Sequence, residues 1–416
     1  MAVDVRTVAG VEIRPAREEE METFRDNLRI GFSSGPRPPR PADETEPPPD
    51  LLPEWTLCAF EDGQLATTYA AFPFEMYFHG RIVPAAGVTA VSTLPWFRRR
   101  GHLRTIMATD FARMHEEGGP AIAILYASMA AIYQRFGYAI VSTQLRYTVD
   151  PRSIEFASPE PVLGRYRRIG REEIGTVAPV FEAFARQYTG SVRRESYIWQ
   201  HEIIGYYAAQ PPFCITYEEQ GEIQGYLFYR ASQRPRGAID FSGSVSAEAW
   251  DLTWLTPSAY RALWAYLKAI DLASEVKVYN LPPDDPGLDL FLEPRQLYPT
   301  RTDGLLARIT DVERAAAQRD YAGEGRLSFE IVDAMAPWNA GRWELETDGG
   351  ETRVRRGERQ PELTMPVATL APLLFGHYSA SHAARIGRLS VHDSAALPRW
   401  DALLRTERPP FCGTGF

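Results

Sequence analysis

Cysteine is scarce: three in 416 residues, at positions 58, 214 and 412. An odd, widely spaced set builds neither a disulfide framework nor a zinc knuckle. It fits a reducing cytoplasm, which is the expected compartment. Long apolar runs are missing as well. No stretch of 18 apolar residues occurs, so no membrane span is expected. The opening Met-Ala-Val-Asp-Val-Arg has no apolar segment of the signal-peptide kind. Histidine is sparse, with seven in all. No H-E-x-x-H or C-x-x-C is present, and His377 and His382 stand five apart, a spacing that points them away from each other on a helix. No metal is therefore expected. Neither a G-x-x-x-x-G-K-[ST] nor a strand-linked G-x-G-x-x-G occurs, which excludes a Walker loop and a dinucleotide fingerprint. Excess positive charge is absent too. The net charge of −9 argues against nucleic acid as the main partner and mildly favours a cationic acceptor.

What is present begins with arginine. The stretch Val91-Ser-Thr-Leu-Pro-Trp-Phe-Arg-Arg-Arg-Gly-His-Leu-Arg104 follows an alternating strand, Ala86 to Leu94, and precedes an amphipathic helix expected from Leu103 to Glu117. Such a turn suits an anion. Free N–H groups at a helix start converge on one spot and the helix dipole favours negative charge there. Gly101 permits close approach, and Arg98, Arg99 and Arg100 offer forks shaped for phosphate. The bland reading of the same residues is a solvated basic turn between strand and helix. The pattern Arg98-Arg-Arg-Gly101-His102-Leu103 resembles the acetyl-CoA loop of the GCN5-related N-acetyltransferases. In that fold the strand before the loop splays from its neighbour and its backbone pairs with the pantetheine arm.

The next segment strengthens the resemblance. Ala121 to Tyr126 reads as a short buried strand. Ser128 stands where a helix N-cap belongs, Met129 to Phe136 reads as two helical turns, and Gly137 as their end. An extended run from Tyr138 to Val149 follows. The string Ser128-Met129-Ala-Ala-Ile-Tyr133-Gln-Arg-Phe-Gly-Tyr138 is similar to the acetyltransferase signature of a tyrosine, two residues, then Phe-Gly-Tyr/Phe. The resemblance implies that the Tyr133 phenol gives a proton to the departing thiolate. Phenol and alkyl thiol differ by about 2 pKa units, so the transfer is nearly balanced. On residue type alone, Tyr133 reads equally as a core aromatic and Ser128 as a cap and nothing more.

The length asks for two to four domains, and 44% hydrophobic and 12% aromatic residues are ample for packed cores. The expected fold is α/β (α+β). Residues 1–150 read as a complete acetyltransferase unit. Its Pro-rich segment, 34–53, can only be a loop, either a plain insertion or a lid on the acceptor pocket. Residues 151–300 repeat the order strand, helices, strands, helix, strand, and resemble a degenerate second unit. No arginine-glycine loop stands at Thr253-Trp-Leu-Thr-Pro, so no cofactor is expected there. Residues 301–416 read as a small sheet with a few helices and resemble the sterol-carrier-protein fold.

That order, an active acetyltransferase, a silent one and a sterol-carrier-like tail, is similar to the Eis family. The resemblance implies acetyl-CoA as co-substrate, with the backbone of Val91, Ser92 and Thr93 on the acetyl carbonyl and pantetheine and Arg98 to Arg104 on the pyrophosphate. Ser128 and Met129 are expected beside the cofactor. It implies a base that is the C-terminal carboxylate, here on Phe416, reaching back into the first unit. An α-carboxyl is a weak base in water, at about 3.5, and burial raises such a value. Family members acetylate amino groups of aminoglycosides and lysines of peptides and proteins, and often form hexamers. Members that take polycations line the acceptor pocket with acids, sometimes beside the terminal residue; here that neighbour is Gly415. Two other readings stand beside it: a lipid- or ligand-binding protein working through the third unit, and a protein-lysine acetyltransferase.

Overall fold

The structure, a computed structural model, describes residues 6–8, 10–35, 51–203, 205, 211–233 and 245–416. Most of the expected Pro-rich loop, and the start of a strand expected at 238–246, lie outside the described residues. Unit one carries β1 (Arg6–Val8), β2 (Val11–Arg14), α1 (Met21–Gly31), β3 (Cys58–Glu61), β4 (Gln64–Phe78), β5 (Arg81–Thr93), α2 (His102–Glu116), β6 (Ile122–Leu125), α3 (Ala130–Gln134), β7 (Ala139–Ile140) and β8 (Thr143–Val149). Unit two carries β9 (Arg165–Ile169), α4 (Ala178–Ala185), α5 (Ser196–Ile198), β10 (Phe213–Glu219), β11 (Glu222–Gln233), β12 (Val245–Trp254), α6 (Pro257–Lys268), β13 (Ala273–Leu281), α7 (Gly287–Leu290), β14 (Thr300–Asp303) and β15 (Leu306–Ile309). Unit three carries α8 (Val312–Ala317), β16 (Glu324–Val332), β17 (Gly341–Asp348), β18 (Thr352–Arg356), β19 (Leu363–Pro366), α9 (Val367–Phe375), α10 (Ala380–Arg385), β20 (Ser390–Val391) and α11 (Leu397–Leu403).

Tight turns set the hairpin registers. Asp62-Gly63, His79-Gly80 and Gln220-Gly221 each have two successive positive φ values. That is the two-residue turn whose twist matches paired strands, and Glu61 faces Gln64, Phe78 faces Arg81 and Glu219 faces Glu222 accordingly. The extended runs expected at Arg81 to Val83 and Ala86 to Leu94 are one strand, β5. It has a bulge: Thr68 faces Ser92 but Ala70 faces Thr89, and Ala90 takes φ +54°. One residue of β4 thus opposes two of β5, which bends the strand and re-aims Val91.

The largest departure from expectation is an exchange of strands. The run from Tyr138 to Val149 is not continuous. β7 stays in the first sheet, whose order is β1-β2-β3-β4-β5-β6-β15-β7, whereas β8 enters the second, ordered β14-β8-β13-β12-β11-β10-β9. In return β15, read from sequence as the start of the third unit, lies between β6 and β7. The two chains cross at Val141-Ser142 and Gly304-Leu305. There Gly304 N–H donates to the Ser142 carbonyl at 3.0 Å, and Leu305 N–H donates to Ser142 Oγ at 2.9 Å. A Cβ on Gly304 would sit 2.6 Å from Ser142 Oγ, so any larger residue would have to displace the hydroxyl that Leu305 N–H bonds. Every residue of β15 is buried, and a short apolar strand carries no local mark of the sheet it joins.

Unit three is not a separate bead. Its sheet, β18-β17-β16-β19-β20, contributes Leu327, Phe329 and Trp343 to one continuous core with Phe74, Phe78 and Ile124 of unit one, bridged by Leu370 and Phe375 of α9. Burying each such side chain stabilises by about 1.5–3 kcal/mol, so units one and three stand or fall together.

Candidate active site

Among the described residues, β5 has a strand neighbour on only one side from Val88 to Thr93. Its ladder with β4 continues to Thr93–Thr67, but its parallel ladder with β6 stops at Ala86–Ala123 and Gly87–Ile124. From Val88 onward the two strands part. The edge of β5 facing β6 therefore carries backbone donors and acceptors without strand partners, Val91 to Thr93 among them. Beneath, Thr68 Oγ1 donates to the Ala90 carbonyl at 2.8 Å and Thr93 Oγ1 meets Thr67 Oγ1 at 3.0 Å, which holds the edge firm. Ser92 Oγ is buried toward α1, 3.4 Å from the Asn27 carbonyl.

The arginine turn follows at once. Arg99 takes φ +66° and Gly101 φ +90°. A non-glycine residue in that region costs on the order of 1 kcal/mol, a strain that persists where surroundings fix it. α2 begins at His102, and among the described residues no side chain caps it. Its first internal bond runs from Thr105 N–H to the Gly101 carbonyl. The N–H groups ahead of Thr105 are free to meet an anion. Two of the three arginines are braced. Arg98 Nε donates to the Thr93 carbonyl at 3.2 Å, and Arg100 reaches Glu61 Oε1 at 2.6 Å and the Trp96 carbonyl at 2.9 Å. Arg99 is exposed and has no side-chain partner among the described residues. Arg104 is exposed beside Met335 at 3.8 Å.

His102 behaves differently from its neighbours. Its side chain is buried under the turn, with Nδ1 3.3 Å from Thr67 Oγ1 and Nε2 2.9 Å from Glu61 Oε2. The latter pair is close but misaligned, and neither atom makes a hydrogen bond there. Of His102, only the backbone N–H faces the place an anion would take. Leu103 packs partly on the core beneath α2.

Across the opening lies α3. It starts at Ala130, later than the Met129 expected, with Met129 as the flanking residue and no side-chain cap. Ser128 stands one residue too early to cap it, and both Ser128 and Met129 are exposed. The helix is shorter than the two turns expected and ends at Gln134; a turn carries the chain on to Gly137 (φ +83°), where Tyr138 N–H closes back on the Tyr133 carbonyl at 3.3 Å. That closure fixes Tyr133. Its ring is buried, 6.0 Å from that of Tyr138, and its hydroxyl has no partner among the described residues. Burial pushes its pKa up to about 12, so the phenol stays protonated at neutral pH. A thiolate in the same setting is penalised for the same reason, which keeps the two acids comparable.

The chain's last residues return to unit one. Tyr126, directly after β6, donates its hydroxyl to the Cys412 carbonyl at 2.7 Å. The Phe416 ring stands edge-on to Phe74 of β4 at 4.8 Å and to Tyr126 at 5.4 Å. From Phe74 the aromatic surface continues through Phe72 and Tyr197 to Trp55, with ring centroids 5.3–5.5 Å apart. The tail thus reaches Tyr126, just past the end of β6, and Phe74, which faces Ala85 of β5. Sequence reasoning missed Tyr126 and this aromatic surface. The apolar strand ending at Tyr126 was legible, but nothing local says that its last side chain turns toward the tail.

Among the described residues no group of three or more potential metal ligands is gathered, and no helix is long and apolar enough to cross a membrane. Residues 12–141 and 190–309 each match an acetyltransferase (GNAT) domain family, and residues 312–413 match the sterol carrier protein domain. Eis, an N-acetyltransferase of Mycobacterium tuberculosis, is 30% identical over 342 residues, covering 79% of this chain and 80% of that protein. This chain belongs to the Eis family of N-acetyltransferases. An uncharacterised N-acetyltransferase of Streptomyces avermitilis is 31% identical over 97% of this chain and 98% of its own length. The crystal structure of Eis1 from Mycobacterium abscessus superimposes with a TM-score of 0.80 at 27% identity, covering 98% of this chain and all of that one. The family matches end at residues 141 and 309, so the second match includes β15 although that strand lies in the first sheet.

Proposed function

We propose that this Eis-family enzyme transfers the acetyl group of acetyl-CoA directly to a primary amine of a small molecule or of a lysine-bearing peptide. The observation that carries the reading is the edge of β5 that parts from β6 and leads into the uncapped start of α2; Tyr133 packs in the same core cluster as Val91 of that edge, and Phe416 reaches Tyr126 just past β6. The residues fit the co-substrate. An extended amide arm suits a strand edge. A pyrophosphate suits free helix N–H groups together with the exposed Arg99 and the braced Arg98. In this reading the Val91–Thr93 backbone orients the thioester carbonyl, while Ser128 and Met129 flank the arm.

The neutral amine attacks the acetyl carbon and gives one N–H proton to the Phe416 carboxylate as the nitrogen–carbon bond forms. The carbon–sulfur bond breaks, Tyr133 gives its phenolic proton to the departing thiolate, and the proton held by the carboxyl returns to the phenolate through solvent. Binding both partners at one opening supplies proximity; the two proton transfers supply acid–base assistance. The same reading, by family resemblance, has a cytoplasmic homo-oligomer, a hexamer, which light scattering checks. The lipid-carrier alternative gains no support, because Leu327, Phe329, Trp343 and Trp400 of unit three are already buried in a shared core. The test is an acceptor panel with acetyl-CoA, followed by thiol release and by mass of the product. Acetylated amine with stoichiometric free thiol is expected. Acetyl-CoA binding without transfer to any amine would overturn the reading.

A further inference from the structure

Unit two has an opening of its own. β12 keeps its ladder with β11 as far as Trp254, but its parallel ladder with β13 stops at Ala249–Val278. The strands part there as β5 and β6 do in unit one. In unit two the opening is filled, and the C-terminal tail fills it. Phe411 packs against Phe184 and Tyr188, with Trp254 and Leu255 beside them just past the parting point. Gly413 passes beside β13, where a Cβ built on it would lie in ordinary contact, 3.9 Å from the Asn280 carbonyl oxygen.

One side chain gathers the filling. Arg194 has a side chain only 1% exposed, and its Nη1 is 2.6 Å from Asp251 Oδ2 on the open part of β12. Its Nε donates to Thr414 Oγ1 at 2.9 Å and its Nη2 to the Gly413 carbonyl at 3.2 Å. The guanidinium lies 3.6 Å over the Phe181 ring and 4.8 Å from that of Trp199. A buried cation is costly unless fully engaged, and this one is engaged by β12 on one side and the tail on the other. The same segment ties to unit one. Gly190 N–H donates to the Tyr77 carbonyl and Tyr77 N–H to the Ser191 carbonyl, both at 2.8 Å. Phe411 N–H donates to the Thr189 carbonyl at 3.0 Å. The tail therefore rests on a strip of chain that is itself bonded to β4, the strand that carries Phe74.

We infer that the cleft of unit two has become the seat of the tail, and that Arg194, held by Asp251, is the positioning residue that sets where Phe416 lies in unit one. The seat stands on contacts alone; its catalytic consequence rests on the reading that Phe416 is the base. Cys412 reports on the seat independently of catalysis, since it is buried in the tail, while Cys58 and Cys214 are buried elsewhere.

The test compares the full-length parent with Arg194→Lys, which keeps the charge but cannot span Thr414 and Gly413 together, and with Thr414→Val, which removes one bond and leaves the Arg194–Asp251 pair intact. Thiol labelling, kcat and the KM for acetyl-CoA are measured on each. In Arg194→Lys, Cys412 should label about tenfold faster, as expected when one or two hydrogen bonds are lost from a local opening. Cys58 and Cys214 should stay protected, kcat should fall, and KM for acetyl-CoA should hold. Thr414→Val should show a smaller change of the same kind. Cys412 as protected as in the parent in both variants would overturn the seat. If all three cysteines label in Arg194→Lys, the fold has loosened and Thr414→Val decides. If Cys412 is released while kcat holds, the seat stands and Phe416 is not the base.

Discussion

The two acetyltransferase units solve the same helix start in opposite ways. α2 of unit one begins after an uncapped glycine turn at φ +90°, so its first N–H groups look outward. α6 of unit two begins after Thr256, whose hydroxyl accepts from Ala259 N–H at 3.1 Å, with Pro257 removing a further donor. One helix leaves its donors for a guest and the other satisfies them itself. The strand edges tell the same story. Both parallel ladders stop early, but the opening beside β5 leads to Tyr133 and the one beside β12 holds residues 411–414. A degenerate unit here is a unit whose binding features have been turned inward.

The largest expected effect tests what the filled cleft delivers. Residues appended after Phe416 convert its carboxylate to an amide; kcat should drop by about 10²–10⁴. An N-terminal tag should do nothing at that site, so equal turnover of the two tagged proteins in steady-state assays would remove the tail from the chemistry. Tyr133→Phe should cost a comparable factor of about 10²–10⁴ in kcat. Acetyl-CoA affinity by calorimetry should stay put, because no contact to the phosphates changes.

The next effect belongs to unit two and is read by pH. Asp285 Oδ1 accepts from the Tyr147 and Tyr260 hydroxyls and Gly287 N–H, each at 2.9 Å, while the buried Oδ2 has no partner. Desolvation raises its pKa to about 6. A folded-state value above the unfolded one favours folding when the group is protonated. The contribution is therefore complete below about pH 4 and lost as pH rises through about 6. It is worth about 3 kcal/mol across that window. Asp285→Asn should flatten the denaturation midpoint between these limits; parallel pH profiles for parent and variant would show that Asp285 does not titrate there.

Smaller effects sharpen the contrast between the helix starts. Arg99→Ala should weaken acetyl-CoA binding by about 1.5–3 kcal/mol, the worth of a charge-assisted bond. Thr256→Ala should leave that affinity untouched and cost about 1 kcal/mol of stability through the lost cap. Acetyl-CoA affinity that responded to Thr256 and ignored Arg99 would reverse the assignment of open and closed units.

The candidate site was legible where its proposed chemistry is local. A pyrophosphate cradle needs glycine and arginine within one turn, so Arg98 to Arg104 stands out in a linear reading, and Tyr133 lies in a compact signature. The order of three units could be read from periodicity. The rest depends on pairings distant in the chain. Ser142 meets Leu305 across 163 positions, and neither carries a local mark of the crossing. The bulge at Ala90 is set by its register with β4, not by residue type. His102 sits in the cradle motif, yet its side chain is turned inward by Thr67 and Glu61. Arg194, next to Arg193, reads as one more surface charge; only the fold shows it enclosed between α4, β12 and the tail.

The exchange of β8 and β15 has a bearing on how the protein is born. Chains usually acquire structure from the N-terminus as they leave the ribosome. Here the first sheet lacks the strand between β6 and β7 until residue 309 has emerged, and the second cannot seat β8 until β13 exists. A nascent chain halted anywhere between the two crossings exposes an unpaired apolar edge, the feature that invites aggregation. Completion of both acetyltransferase units is therefore one late event. An isolated N-terminal half is not a smaller enzyme but an unfinished one.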